Sequence, residues 1–161
     1  MLGILADWLF ISHHIVGKLF MKLSIRTFQE DDRASVISLW QACELTRPWN
    51  DPDKDIDRKV QFQPDLFLVG EMDSQVMASA MVGYDGHRGS VFYLAVSPEF
   101  QGQGYGQTIM SYIESLLAEL GCPKLNILVR TTNEKVIGFY DELSYSPDDV
   151  VSLGKRLIPD V

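Results

Sequence analysis

Gly102, Gly104 and Gly106 stand at every second position between an apolar run and an amphipathic stretch. The run is Val91-Phe92-Tyr93-Leu94-Ala95-Val96, the link is Ser97-Pro98-Glu99-Phe100, and the loop reads Gln101-Gly102-Gln103-Gly104-Tyr105-Gly106-Gln107. This order predicts strand, Gly-rich turn, helix. Glycines let a backbone turn tightly and come close to a ligand. The first N–H groups of the helix lack intrahelical partners, and the helix dipole favours an anion beside them. The chemistry on offer is the cradling of a phosphate or pyrophosphate. A Walker A loop is excluded, because Gln107 follows Gly106 where the phosphate-binding lysine is needed. A dinucleotide fingerprint is excluded by the glycine spacing and by the loop's place past the middle of the chain.

Gln101-x-x-Gly104-x-Gly106, preceded by Leu94-Ala95-Val96-x-Pro98, resembles the acyl-CoA pyrophosphate loop of the GNAT superfamily of N-acetyltransferases. Downstream, Asn133-Glu134-Lys135-Val136-Ile137-Gly138-Phe139-Tyr140-Asp141-Glu142-Leu143-Ser144-Tyr145 resembles that family's second motif, an Asn, then Phe-Tyr, then Leu-Gly-Phe/Tyr. The two stand in the family's order, separated by a helix and a strand, and the resemblance runs from Met21 to the C-terminus. Arg47-Pro48-Trp49-Asn50-Asp51-Pro52, Gly83 to Gly89 and Ser152 to Ile158 look close to the YpeA-type members.

The resemblance implies acetyl-CoA as co-substrate and transfer of acetyl to an amine. It places the CoA pyrophosphate on the backbone of Gln101 to Gln107 and the pantetheine arm along Leu94, Ala95 and Val96. A strand-end N–H there would polarise the thioester carbonyl, an oxyanion-hole role. Tyr140 matches the tyrosine that protonates the departing thiolate; a phenol with a pKa of about 10 suits that proton transfer. A packed aromatic beside Phe139 is the other reading of Tyr140. Asn133 matches an asparagine near the pantetheine and equally reads as a helix cap.

No general base is evident. Positions where some members carry glutamate hold Ser90 and Leu128, leaving a water-mediated route to Asp85, His87 or Tyr93. Ser144 replaces the usual glycine. The segment between the first two helices commonly borders the acceptor in this family. Trp49 with Asp51 would suit a cation and Arg47 a carboxylate, so Arg47, Trp49, Asn50 and Asp51, with Tyr84, Asp85 and His87, form the expected acceptor side.

The net charge of −8 lacks the basic footprint of a nucleic-acid binder. Cys43 and Cys122 make neither a disulfide framework nor a zinc spacing, and no metal is expected. The first twenty residues are apolar but carry Asp7, His13, His14 and Lys18, too interrupted for a spanning helix. They read as an extension outside the catalytic fold, with the domain at 21–161. The expected partners are acetyl-CoA and an amine acceptor in the cytoplasm, without nucleic acid or membrane; a homodimer stays open.

The elements that must hold these groups follow from periodicity. Strands are expected at Lys22–Phe28, Leu66–Val69, Val76–Tyr84, Val91–Val96, Lys124–Val129 and Val150–Ile158. Helices are expected after Asp32, from Pro52 to Gln61, after Gly106 and from Asn133 to Leu143. The fold class is α/β: one GNAT-type domain with a mixed, mostly antiparallel twisted sheet flanked by helices. The expected function is acetyl-CoA-dependent N-acetyl transfer by direct attack in a ternary complex. The alternative is an acyl-CoA-binding module with little or no catalysis.

Overall fold

A charged cluster fixes the first edge of the sheet. Arg26, in β1 (Ser24–Thr27), donates to Asp32 at 2.7 and 2.9 Å and to Glu71 at 2.7 and 3.0 Å. Asp32 also accepts the Gln29 backbone N–H at 2.8 Å, which closes the turn into α1 (Arg33–Ala42). The Arg26 guanidinium therefore holds the Asp32 carboxyl below the usual aspartate range, against the opposing effect of burial. The computed structural model describes residues 22–159. The expected extension at 1–20 lies outside the described residues.

Period-2 alternation builds the rest of the sheet. β2 (Phe67–Met72) turns back through Asp73 and Ser74, both left-handed at φ 48° and 61°, into β3 (Gln75–Tyr84). β3 turns at Asp85-Gly86 into β4 (Gly89–Val96). Strand order follows chain order, β1-β2-β3-β4-β5; the first four run antiparallel and β5 (Leu125–Asn126) joins β4 in parallel. β3 overhangs β2, and side chains from α2 (Pro52–Gln61) cover the overhang: Lys59 Nζ donates to the Val82 carbonyl at 2.6 Å. Gln63 bonds both main-chain groups of Tyr84. Burial pulls the Lys59 ammonium down to about 8.

The alternation sends side chains to two cores. On one face Leu68, Ala80, Val82 and Val91 pack under Ile109, Met110, Ile113 and Leu117 of α3 (Tyr105–Glu119) and Tyr140 of α4 (Glu134–Glu142). On the other face Phe67, Val69 and Met81 pack under Val36, Leu39 and Trp40 of α1 and Ile56 of α2. Arg33 of α1 reaches Asp57 of α2 at 2.8 Å and ties the two helices together.

The expectations at the C-terminal end need correction. The strand expected at Lys124–Val129 forms a ladder only at Leu125–Asn126, because β5 leaves β4 after Ser90. No strand forms at Val150–Ile158: Val150, Val151, Leu153, Leu157 and Ile158 are all exposed. A strand needs a partner edge and a face to bury, and no described strand supplies either to this segment.

Candidate active site

The Gly-rich loop is built where β4 hands the chain to α3. The Ser97 N–H bonds the Met77 carbonyl at 2.8 Å, and a 3-10 turn at Pro98–Phe100 follows. The Gln101 side chain reaches back to the Val96 carbonyl at 3.0 Å, and Gln103 reaches the Glu99 carbonyl at 3.0 Å. Gly102 and Gly104 lie at φ 72° and 86°, with open space where a Cβ would stand. Gly104 precedes α3, whose first turn carries no side-chain cap and no acidic residue. The loop thus places the start of α3, which has no side-chain cap, beside open space, which fits a pyrophosphate. Gly106 answers a different need: a Cβ there would come within 3.1 Å of the Phe139 ring, so its bare backbone lets α4 seat against the loop.

That seating brings in Lys135, which the sequence reading missed. Its Nζ lies 3.3 Å from Gln101 Oε1, placing a cation at the loop's edge. Its position depends on how α4 packs, which no local pattern shows. Asn133 caps α4, accepting the Val136 N–H at 3.3 Å.

β4 opens on one side. Its parallel pairing with β5 is confined to Gly89↔Leu125 and Ser90↔Asn126, so from Val91 to Val96 it has a ladder partner only on the β3 side among the described residues. The β3 register also slips there: Phe92 faces Met81 and Ala95 faces Ser79, leaving Tyr93 and Leu94 opposite Ala80. This is a β-bulge, and Tyr93 within it has φ 51°. Leu94 and Val96 are half-buried against the α3-side core, while Ala95 is buried against the α1 side.

Tyr140 is 8% exposed, edge-on to Phe139 and Tyr145 with ring centres 5.0 and 5.5 Å away. Burial pushes its phenol up to about 12, so it stays protonated and able to donate at neutral pH. Packed aromatic and proton donor are compatible descriptions of this side chain.

The expected acceptor residues are dispersed. Asp85 Oδ1 accepts the backbone N–H groups of His87 and Arg88, each at 2.8 Å, and so shapes the β3–β4 turn. His87 is exposed. The Tyr84 hydroxyl donates to the Gly121 carbonyl at 3.2 Å. Tyr84 and Asp85 line a cleft of about 330 Å³ whose walls include Phe62, Phe92 and Leu128. Arg47 folds onto its own loop, donating to the Glu44 and Thr46 carbonyls. Trp49 is 48% exposed, and Asp51 caps α2 by accepting the Asp53 N–H at 3.0 Å. The Asn50 side-chain carbonyl accepts from Arg156 at 3.4 Å. Asp55, a carboxylate of the stretch expected to border the acceptor, accepts the Tyr93 hydroxyl at 2.6 Å and Arg58 at 2.6 Å.

Solved structures share this architecture. Ard1 from Thermoplasma volcanium matches with a TM-score of 0.65 at 21% identity, covering 77% of this chain and 82% of that one. An aminoglycoside acetyltransferase from an uncultured soil metagenomic sample matches with a TM-score of 0.66 at 20% identity, covering 84% and 97%. At such identities the likeness is one of fold. The model of the acetyltransferase (GNAT) family matches residues 34–145. An acetyltransferase of Yersinia pestis (strain Pestoides F) is 51% identical over 138 residues, 86% of this chain and 98% of the relative. One from Pectobacterium atrosepticum is 50% identical with the same coverage. The chain belongs to the GNAT acetyltransferase family, and it is an acyltransferase of the kind that uses acetyl-CoA.

Proposed function

We propose that this protein transfers the acetyl group of acetyl-CoA to a primary amine by direct attack in a ternary complex. The observation that carries the reading is that the side of β4 left without a ladder partner by β5 leads directly into the Gly-rich loop, where α3 begins without a side-chain cap. Loop N–H groups and Lys135 hold the pyrophosphate, and the main chain of Leu94 to Val96 holds the pantetheine arm. The Leu94 N–H polarises the thioester carbonyl. The amine arrives as an ammonium and gives one proton to solvent; its nitrogen then bonds the acetyl carbon as the C–S bond breaks. Tyr140 protonates the departing sulfur and recovers a proton from the new amide nitrogen, so atoms and charge balance. Holding both reactants together supplies proximity.

Direct attack is supported by the state of the Cys43 thiol. Cys43 donates to the Val96 carbonyl at 3.3 Å, and burial raises its pKa, so it is held as the poorly nucleophilic thiol. The acceptor side faces α1 and α2, since α3 and α4 fill the opposite face. There the apolar walls of Phe62, Phe92 and Leu128 favour an amine with an apolar body. The test is free-thiol release from acetyl-CoA over apolar amines, amino acids, polyamines, aminoglycosides and peptides. Release with one class supports the reading. Binding of acetyl-CoA with no release across the whole panel favours a CoA-binding module instead.

A further inference from the structure

Tyr93 differs from the other non-glycine residues of positive φ among the described residues. Glu44, Gln63, Asp73, Ser74 and Ser144 follow helices or sit in the β2–β3 turn; Tyr93 lies inside a strand. A bulky residue in that conformation is strained, and it persists only where its surroundings over-determine it. Three elements do so here. The ring stacks on Trp40 of α1 at 4.0 Å. The hydroxyl donates to Asp55 of α2 at 2.6 Å. The carbonyl accepts the Ser79 hydroxyl of β3 at 3.2 Å. Ser79 Oγ in turn accepts the Trp40 indole N–H at 2.8 Å, with Trp40 and Ser79 only 0% and 1% exposed. A buried hydroxyl between Ala78 and Ala80 adds nothing to an apolar core, so its use lies in this relay.

A trans peptide is planar, and its C=O and N–H point in opposite directions. Ser79 holds the Tyr93 carbonyl from the β3 side, which sends the Leu94 N–H the other way, toward the side of β4 that β5 has left. We propose that Ser79 and Trp40 are positioning residues that fix the Tyr93–Leu94 peptide so that the Leu94 N–H is aimed at the acetyl carbonyl. This rests on the acetyl-CoA reading above and assigns the device that sets its oxyanion donor. It also explains why α1, α2 and β3 converge on one tyrosine.

The experiment needs no acceptor. Acetyl-CoA carrying a 13C-labelled carbonyl is bound to the protein and its carbonyl stretch is read by difference infrared spectroscopy. In the wild type the stretch falls below its solution value. Ser79→Ala should lose that downshift and keep its affinity for CoA within about twofold, while Ser79→Thr, which keeps the hydroxyl, restores it. With any accepted amine, kcat of Ser79→Ala should drop about tenfold or more, with KM for acetyl-CoA little changed. Because Ser79→Ala leaves the Trp40 N–H buried and unpaired, the double variant Trp40→Phe/Ser79→Ala serves if the single one unfolds. A folded variant that binds acetyl-CoA with the wild-type carbonyl frequency overturns the proposal. A wild type that binds acetyl-CoA without any downshift overturns it too, leaving the cofactor reading intact. A wild type that does not bind acetyl-CoA overturns both.

Discussion

Two side chains, Tyr140 and Phe139, sit next to each other in α4, and the proposed reading gives them different roles. Tyr140→Phe should lower kcat by about 100-fold while leaving stabilisation by acetyl-CoA in place; undiminished turnover would refute the acid role. In the proposed acid role the working form of Tyr140 is the neutral phenol, and burial raises its pKa to about 12. Its contribution is therefore present throughout the neutral range and lost only as pH rises toward that value. A kcat that collapses between pH 8 and 10 with the acceptor saturating would point to another donor. Phe139 instead lies 3.1 Å from where a Gly106 Cβ would stand. Gly106→Ala should weaken acetyl-CoA binding, read by calorimetry, and Phe139→Leu in the same chain should recover part of the loss; simple additivity of the two would contradict the contact. The turn at the loop glycines and the place of Tyr140 on α4 were legible because residue types and spacing carry a local requirement. The strain at Tyr93, the Asp55 contact and the place of Lys135 were not, because each arises between elements far apart in sequence.

At the scale of elements, helix signals read best. Asp51-Pro52 placed the start of α2, and Gly121 at φ 80° follows the end of α3, as turn and cap chemistry require. The strands after α3 read worst, because their pattern states a need for burial without saying where a partner is. β1 and α1 share one electrostatic joint, with testable pH behaviour. The folded pKa of Asp32 is depressed, chiefly by hydrogen bonds from Arg26. The stability it contributes is full above the unfolded aspartate pKa of about 4 and fades as pH falls through the folded value. Asp32→Asn should cost about 1–3 kcal/mol at neutral pH, and the difference from wild type should shrink on acidification below pH 4. Urea unfolding at pH 7 and pH 3 checks this; a difference that stays constant or grows in acid rules it out.

For the molecule as a whole, the proposed function divides two tasks between the faces of the sheet. α3, α4 and the Gly-rich loop occupy one face and offer N–H groups to an anion. α1, α2 and the apolar cleft occupy the other, where the amine would enter. No helix among the described residues is long and apolar enough to cross a membrane. A ligand that binds only the folded protein must raise its stability by mass action. The most direct measurement is the melting temperature of the full chain titrated with acetyl-CoA. A rise that grows with the logarithm of ligand concentration, and that weakens in Gly106→Ala, is the predicted result. An unchanged melting temperature at millimolar acetyl-CoA would contradict the assignment of the Gln101–Gly106 loop.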